Sequence, residues 1–103
     1  MINIDAMIKS RTLPISFTIE FENGKTKKVN LELKSMKLKA LRKLKKLQKK
    51  DDEESVLKMV KTILNNNKKN YHLKDDEIDE LTTEQLQAIA KAYMKWVEDN
   101  QKN

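Results

Sequence analysis

The chain has 103 residues, of which 37% are charged and 38% hydrophobic, and its formal net charge is +6. This length supports one small domain with one modest core and is too short for two. The periodic order of its Leu, Ile and Val residues excludes a disordered composition, and the absence of cysteine excludes disulfides and thiolate metal sites.

Charge is distributed unevenly along the chain. Residues 1–50 hold 14 Lys plus Arg against 4 Asp plus Glu, a balance of +10, whereas residues 51–103 hold 8 against 12, a balance of −4. This asymmetry indicates either that the basic half faces an acidic partner or that the two halves attract each other within the fold. The acidic residue Asp5 and the lack of a long apolar run argue against a signal peptide and a membrane-spanning segment, so we expect a soluble intracellular protein.

The first twelve residues give an ambiguous signal. Ile2, Ile4 and Ile8 alternate as in a strand, while Ile4, Met7 and Ile8 would share one face of a helix. We assign residues 1–12 to a flexible or docking arm in front of a single domain of residues 13–103.

Residues 13–33 predict a β-hairpin. Apolar side chains alternate with polar ones on both sides of Asn23-Gly24, as the half-buried strands of a hairpin require. A two-residue loop would mix apolar and polar side chains on each face, so the loop must have an odd length. A three-residue loop with a left-handed Gly24 pairs Phe17 with Val29 on one apolar face, and a five-residue loop keeps the same parity.

Three main helices follow the hairpin. In residues 36–50 the apolar and basic side chains fall on opposite arcs of a helix, which Ser35 is expected to cap. Asp51 is expected to cap a second helix over residues 52–64, although one continuous helix over residues 35–64 stays open. A polar connection with a short helical turn near residues 75–80 leads to a third helix over residues 83–99. The predicted fold class is therefore α+β, an N-terminal β-hairpin followed by three main helices.

The last helix opens with a predicted capping box. Thr82 and Gln85 stand at the spacing at which each side chain bonds the other residue's backbone N–H. This is the clearest helix start in the sequence.

The sequence offers little for catalysis. With one histidine, one glycine and no cysteine, it can build neither a Gly-rich phosphate loop nor a Cys/His pair. The acidic run over residues 75–80 lacks the central glycine of a calcium loop. We expect no enzyme, no metal site and no cofactor, with His72 at the surface or its boundary.

The basic arc of the residue 36–50 helix is the first candidate binding surface. Its cations could contact phosphates without reading sequence, since no aromatic or base-reading side chain lies among them. A plain solvated face is the alternative interpretation. The candidate phosphate-binding residues are Lys39, Arg42, Lys43, Lys46 and Lys50.

The end of the last helix is the second candidate surface. The helical pattern predicts that Tyr93 and Val97 belong to the core, whereas a Met or Trp left exposed would mark a protein-binding patch. The candidate partner-binding residues are Tyr93, Met94, Trp96 and Val97.

Three segments resemble the small tail assembly chaperones of tailed bacteriophages and prophages: the hairpin ISFTIEFENGKTKKVNLEL, the helix SMKLKALRKLKKLQKK and the closing LTTEQLQAIAKAYMKWVEDN. The resemblance covers residues 13–99. It implies a non-catalytic protein in the cytoplasm of a bacterial host cell, one that binds the long helical tape measure protein, keeps it soluble during tail assembly and tends to form homo-oligomers. A small basic nucleic-acid-binding protein is the alternative function.

Overall fold

The computed structural model describes residues 1–9 and 11–101. The architecture is α+β in one small domain, with an antiparallel hairpin followed by helices, as predicted. The elements in chain order are α1 (Ile4–Lys9), β1 (Leu13–Glu20), β2 (Thr26–Leu33), α2 (Leu38–Lys50), α3 (Glu53–Leu64), α4 (Asp75–Asp79) and α5 (Thr83–Gln101).

The register of the hairpin follows the predicted parity. Phe17 lies opposite Val29 in the antiparallel pair of β1 and β2. The Gly24 N–H donates to the Phe21 carbonyl at 3.0 Å and the Phe21 N–H donates to the Lys25 carbonyl at 2.9 Å, which closes a three-residue loop. Gly24 has φ of 85°, a conformation that glycine adopts at no steric cost. The prediction of an odd loop with a left-handed Gly24 is confirmed.

The central helix is α3, which packs against α2 on one side and α5 on the other, and also contacts β2 and α4. By contrast, α2 contributes only two buried side chains, Leu41 and Leu44, and its main contacts are with α3. Because α2 lies at the margin of the core, much of its circumference faces outward.

A break separates α2 from α3, so the alternative of one continuous helix is wrong. Asp51 takes a left-handed conformation, with φ of 51°, directly after Lys50. The N-cap of α3 is Asp52, because its carboxylate accepts a hydrogen bond from the Ser55 N–H at 2.7 Å. That bond lowers the pKa of Asp52. The prediction that Asp51 caps α3 is therefore wrong by one residue.

The start of α2 also differs from the prediction. Its N-cap is Lys37, without a side-chain cap, and not Ser35. The reason lies in tertiary contacts, since the Asn66 side chain donates to the carbonyls of Lys34 and Ser35 at 3.2 Å each. These bonds fasten the segment before α2 to the end of α3.

The connection after α3 lies against the end of β2. The Lys34 N–H donates to the Asn66 carbonyl and the Lys68 N–H donates to the Glu32 carbonyl, both at 2.9 Å. Within the connection, the Asn65 side chain accepts from the Leu73 N–H at 2.8 Å. The predicted polar connection is thus hydrogen-bonded to the rest of the fold, and it ends in the predicted helical turn, α4.

The start of α5 has the predicted capping box. The Thr82 N–H donates to Gln85 Oε1 at 2.9 Å, and the Gln85 N–H donates to Thr82 Oγ1 at 3.1 Å. Gln85 also donates from Nε2 to the Thr18 carbonyl at 2.8 Å, which ties α5 to β1. One glutamine therefore caps a helix and docks it on the hairpin.

The first residues adopt the helical alternative of the ambiguous arm. Asn3 Oδ1 accepts from the Ala6 N–H at 3.0 Å at the start of α1. The side chains of Ile2 and Ile4 are exposed. Whether this segment serves as a docking arm stays a prediction.

An ion pair ties the hairpin to α4. Lys27 Nζ lies 2.6 Å from Glu77 Oε2 and 2.5 Å from Tyr71 Oη. The second carboxylate oxygen of Glu77 accepts from the Lys74 N–H at 3.1 Å. Lys27 holds the pKa of Glu77 below its ordinary value, and the pair raises the pKa of Lys27 in turn.

Replacing Glu77 with glutamine should weaken this tie in a pH-dependent way. A carboxylate whose pKa is lower in the folded chain than in the unfolded chain stabilises the fold at pH values above its pKa in the unfolded chain. This stabilisation is lost as the pH falls through its pKa in the folded chain. Glu77→Gln should therefore lower the free energy of unfolding at about pH 7 by about 1 kcal/mol and flatten its decline in acid. Urea denaturation between about pH 3 and about pH 7 measures both effects. The exposed neighbour Asp76→Asn is the control, and the same acid dependence in Glu77→Gln as in the unaltered chain would contradict the prediction.

Candidate functional site

A groove runs along the side of α2 that faces α3. A cavity of about 660 Å³ has Ala40, Leu44 and Leu47 among its lining, and a second cavity of about 850 Å³ is lined by Met36 and Ala40. The two cavities share Lys37, Ala40 and Thr62, so they form one continuous depression, which we call the α2 groove. The apolar floor of the α2 groove consists of Met36, Ala40, Leu44 and Leu47.

The floor has the length of a short helical contact. Its helical part, from Ala40 to Leu47, extends for about 10 Å at the helical rise of about 1.5 Å per residue, and Met36 lies just before α2 begins. Leu44 is almost completely buried, while Met36, Ala40 and Leu47 keep part of their surface exposed. The α2 groove therefore offers accessible apolar surface for about two turns of a second helix.

The rim of the α2 groove is basic. No side chain that lines either of its two cavities is a carboxylate. Lys61 is the rim cation that forms a salt bridge, with its Nζ 2.6 Å from Oδ1 of the exposed Asp75. The α2 groove thus combines an apolar floor with a positive electrostatic potential along its rim. The rim consists of Arg11, Lys34, Lys37, Lys39, Lys43, Lys58, Lys61 and Lys68.

The predicted phosphate-binding residues lie on two sides of α2. Lys39 and Lys43 stand on the rim of the α2 groove, whereas Arg42 and Lys46 lie outside it. All five candidates, including Lys50, are exposed. Within residues 1–9 and 11–101, no salt bridge joins α2 to a carboxylate, although the charge of Lys50 contributes to the lowered pKa of Asp52. The attraction between the two halves of the chain is therefore not satisfied at α2.

The predicted partner-binding residues of α5 belong mainly to the core. Tyr93 and Val97 are buried, which confirms their assignment, and Met94 is buried as well, with 5% of its surface exposed. Trp96 is half-buried, and the centre of its ring lies 5.6 Å from that of Tyr93. These four side chains pack inward and do not form an exposed patch.

A smaller cavity, separate from the α2 groove, opens where the start of α3 meets α4 and the start of α5. Its volume is about 280 Å³. Asp51, Asp52, Glu53 and Asp79 supply its carboxylates. We call it the acidic pocket, and its apolar lining consists of Val56, Leu57, Ile78, Leu81 and Leu86.

Neither the α2 groove nor the acidic pocket was predicted from the sequence. Each is lined by several elements, and their packing cannot be obtained from the periodicity of one helix. The available signal for the groove was the pair Lys58 and Lys61 in α3, whose spacing places both on one side of that helix.

No family model, curated protein or solved structure matches this chain. The resemblance to tail assembly chaperones accordingly stays a prediction.

Two further properties concern the part of the chain that the structure describes. None of its helices is long and apolar enough to cross a membrane. No three His, Cys, Asp or Glu side chains in it come together in a way that could hold a metal ion. His72, the single histidine, is exposed.

Proposed function

We propose that this protein is a non-catalytic protein-binding module that holds an amphipathic helix of a partner protein in the α2 groove. The observation that carries the proposal is the apolar floor enclosed by a basic rim without carboxylates. A partner helix would bury its apolar stripe on the floor, as in other helix-in-groove complexes. Acidic residues beside that stripe would face the rim lysines, which favours partners with Asp and Glu next to their apolar anchors.

We propose further that the partner is a phage tape measure protein and that the chain is a tail assembly chaperone in the cytoplasm of a bacterial host cell. The order of hairpin and helices supports this proposal by its resemblance to that family. A long helical protein awaiting assembly exposes apolar stripes that aggregate. Covering them with a small domain of net charge +6 would keep the complex soluble.

Co-expression with the longest helical protein encoded nearby tests this function. The groove variant combines Lys43→Glu with Lys58→Glu, which reverses two rim charges. The matched control combines Lys45→Glu with Lys49→Glu, which makes the same charge change at exposed positions outside the groove. The unaltered chain and the control should copurify with the partner and keep it soluble, whereas the groove variant should bind about tenfold more weakly, a loss of about 1.4 kcal/mol. Equal binding by the two variants would contradict the proposal.

Nucleic-acid binding is the second candidate function. The exposed cations of α2, which form no salt bridge within the described part of the chain, favour it. Contact with about five phosphates would make log K fall with log salt at a slope of about −4.5. Our first proposal predicts no retention on DNA at about 150 mM salt. If the chain is retained tightly on DNA, and if Lys39→Glu plus Lys46→Glu abolishes this salt-sensitive retention, nucleic-acid binding replaces protein binding as the proposed function.

A further inference from the structure

Leu38 is an exposed leucine among cations. Its side chain is 57% exposed, and it shares a shallow surface with Lys39, Arg42, Lys43 and Lys46. Leu38 and Leu47 are nine residues apart, so at about 100° per residue they project from opposite sides of α2. Leu38 therefore belongs neither to the buried seam nor to the α2 groove.

The acidic pocket has the complementary character. Apolar side chains and carboxylates line it together, and its volume of about 280 Å³ leaves room for an inserted leucine side chain. Asp51, Glu53 and Asp79 are exposed at its rim. Asp52 also lines the pocket, but its carboxylate is already engaged in capping α3. A leucine flanked by cations is the kind of anchor that this pocket fits.

These two features stand at opposite ends of α2. Leu38 is the first residue of the helix and Asp51 follows its last, so about 20 Å separates them. Leu38 therefore cannot reach the acidic pocket of its own chain. No salt bridge within the described ranges connects the cations around Leu38 with the rim carboxylates.

We propose that the acidic pocket receives the Leu38 end of α2 from a second copy of this chain. The contact is head-to-tail, so each copy uses its Leu38 end on one neighbour and its acidic pocket on another. Such heterologous contacts generate rings when the rotation closes and open arrays when it does not. Leu38 lies opposite the floor of the α2 groove, and Lys39 and Lys43 belong to both surfaces, so the proposed contact covers one rim of the groove and leaves its apolar floor open for a partner helix.

Sedimentation velocity of the full chain at about 10 µM to about 500 µM, in about 50 mM and about 500 mM salt, tests this interface. We expect association at low salt that weakens at high salt. The Leu38→Glu variant, and separately a Glu53→Lys plus Asp79→Lys variant, should each be monomeric. All three substituted side chains are exposed, so circular dichroism should show an unchanged helix content. If circular dichroism shows that Glu53→Lys plus Asp79→Lys loses helix content, a second pocket variant, Gln87→Lys plus Asp79→Lys, takes its place.

Mixing the two monomeric variants gives the sharpest result. The Leu38 variant keeps an intact pocket and the pocket variant keeps an intact Leu38, so an equimolar mixture should form one contact and stop at a dimer. The control Ile4→Glu, at an exposed apolar residue outside the interface, should assemble like the unaltered chain. A monomeric unaltered chain at low salt, unchanged assembly by either variant, or a mixture that stays monomeric would overturn the proposal. None of the substituted residues lines the α2 groove, so partner copurification reports on the proposed function separately.

Discussion

The Tyr93→Ala variant is expected to lose about 4 kcal/mol of unfolding free energy, because it empties a large site in the centre of the core. Tyr93 has no exposed surface, and its Oη donates a hydrogen bond to the Lys34 carbonyl at 2.7 Å. That bond joins α5 to the segment between β2 and α2. Urea denaturation followed by circular dichroism measures the loss.

The Tyr93→Phe variant separates the hydrogen bond from the packing. It keeps the ring and removes the hydroxyl, so we expect a smaller loss of about 1 kcal/mol. A loss in Tyr93→Phe as large as that in Tyr93→Ala would show that the ring contributes little, which contradicts the packing that we describe.

High pH should act on the same side chain. Burial raises the pKa of Tyr93 to about 12, from an ordinary value of 10.0. A group with a raised folded pKa contributes its full stability below the unfolded pKa and loses that contribution as the pH rises through the folded pKa. The unaltered chain should therefore lose stability between pH 10.0 and about 12, and Tyr93→Phe should lose less over this interval.

The Asn67→Ala variant is expected to lose about 3 kcal/mol of unfolding free energy, since it removes three hydrogen bonds to backbone groups, one of them buried and two partly buried. Asn67 is 1% exposed. Its Nδ2 donates to the carbonyls of Leu64 and Tyr71 at 2.9 Å and 2.7 Å, and its Oδ1 accepts from the Tyr71 N–H at 2.8 Å. One side chain therefore determines how the chain turns from α3 toward α4.

Thermal denaturation should detect the Asn67 effect easily. A loss of about 3 kcal/mol corresponds to a fall in Tm of about 15 °C for a domain of this size. The neighbouring Asn66→Ala is the control, because Asn66 is only partly buried and its two side-chain bonds are long, at 3.2 Å each. We expect about 1 kcal/mol there. Equal losses at the two positions would contradict the role that we assign to Asn67.

Features that depend on short-range pattern were predictable from the sequence. The parity of apolar alternation determined that Phe17 faces Val29, because a shift of one residue would turn every apolar side chain to the other face. The capping box of Thr82 and Gln85 was predictable for a similar reason, since both partners lie three residues apart.

Features that depend on tertiary contacts were not predictable in this way. Ser35 has the composition of an N-cap, but the segment around it is bonded to Asn66, and α2 starts later. Asp51 and Asp52 can both cap a helix, and the turn assigns the left-handed position to the first and the cap to the second. In each case the deciding partner or backbone angle cannot be obtained from local sequence.

The candidate surfaces changed for the same reason. The sequence pointed to the cations of α2 and to Met94 and Trp96 as separate candidates. Packing buries Met94 and brings two of the cations, Lys39 and Lys43, together with the partly exposed Ala40 and Leu47 in one groove. A helix that looked like a phosphate-binding surface from its charges thus becomes one wall of an apolar, basic-rimmed groove.

Site-directed photocrosslinking tests the central claim, that the α2 groove binds a partner helix, most directly. The chain has no cysteine, so a single introduced thiol carries a photoreactive label at one known position. Ala40→Cys places the label on the groove floor, and Lys49→Cys places it on exposed surface of the same helix outside the groove. With the co-expressed helical partner, we predict strong crosslinking from Ala40→Cys and little from Lys49→Cys. Equal yields from the two positions, or a higher yield from Lys49→Cys, would contradict binding in the α2 groove.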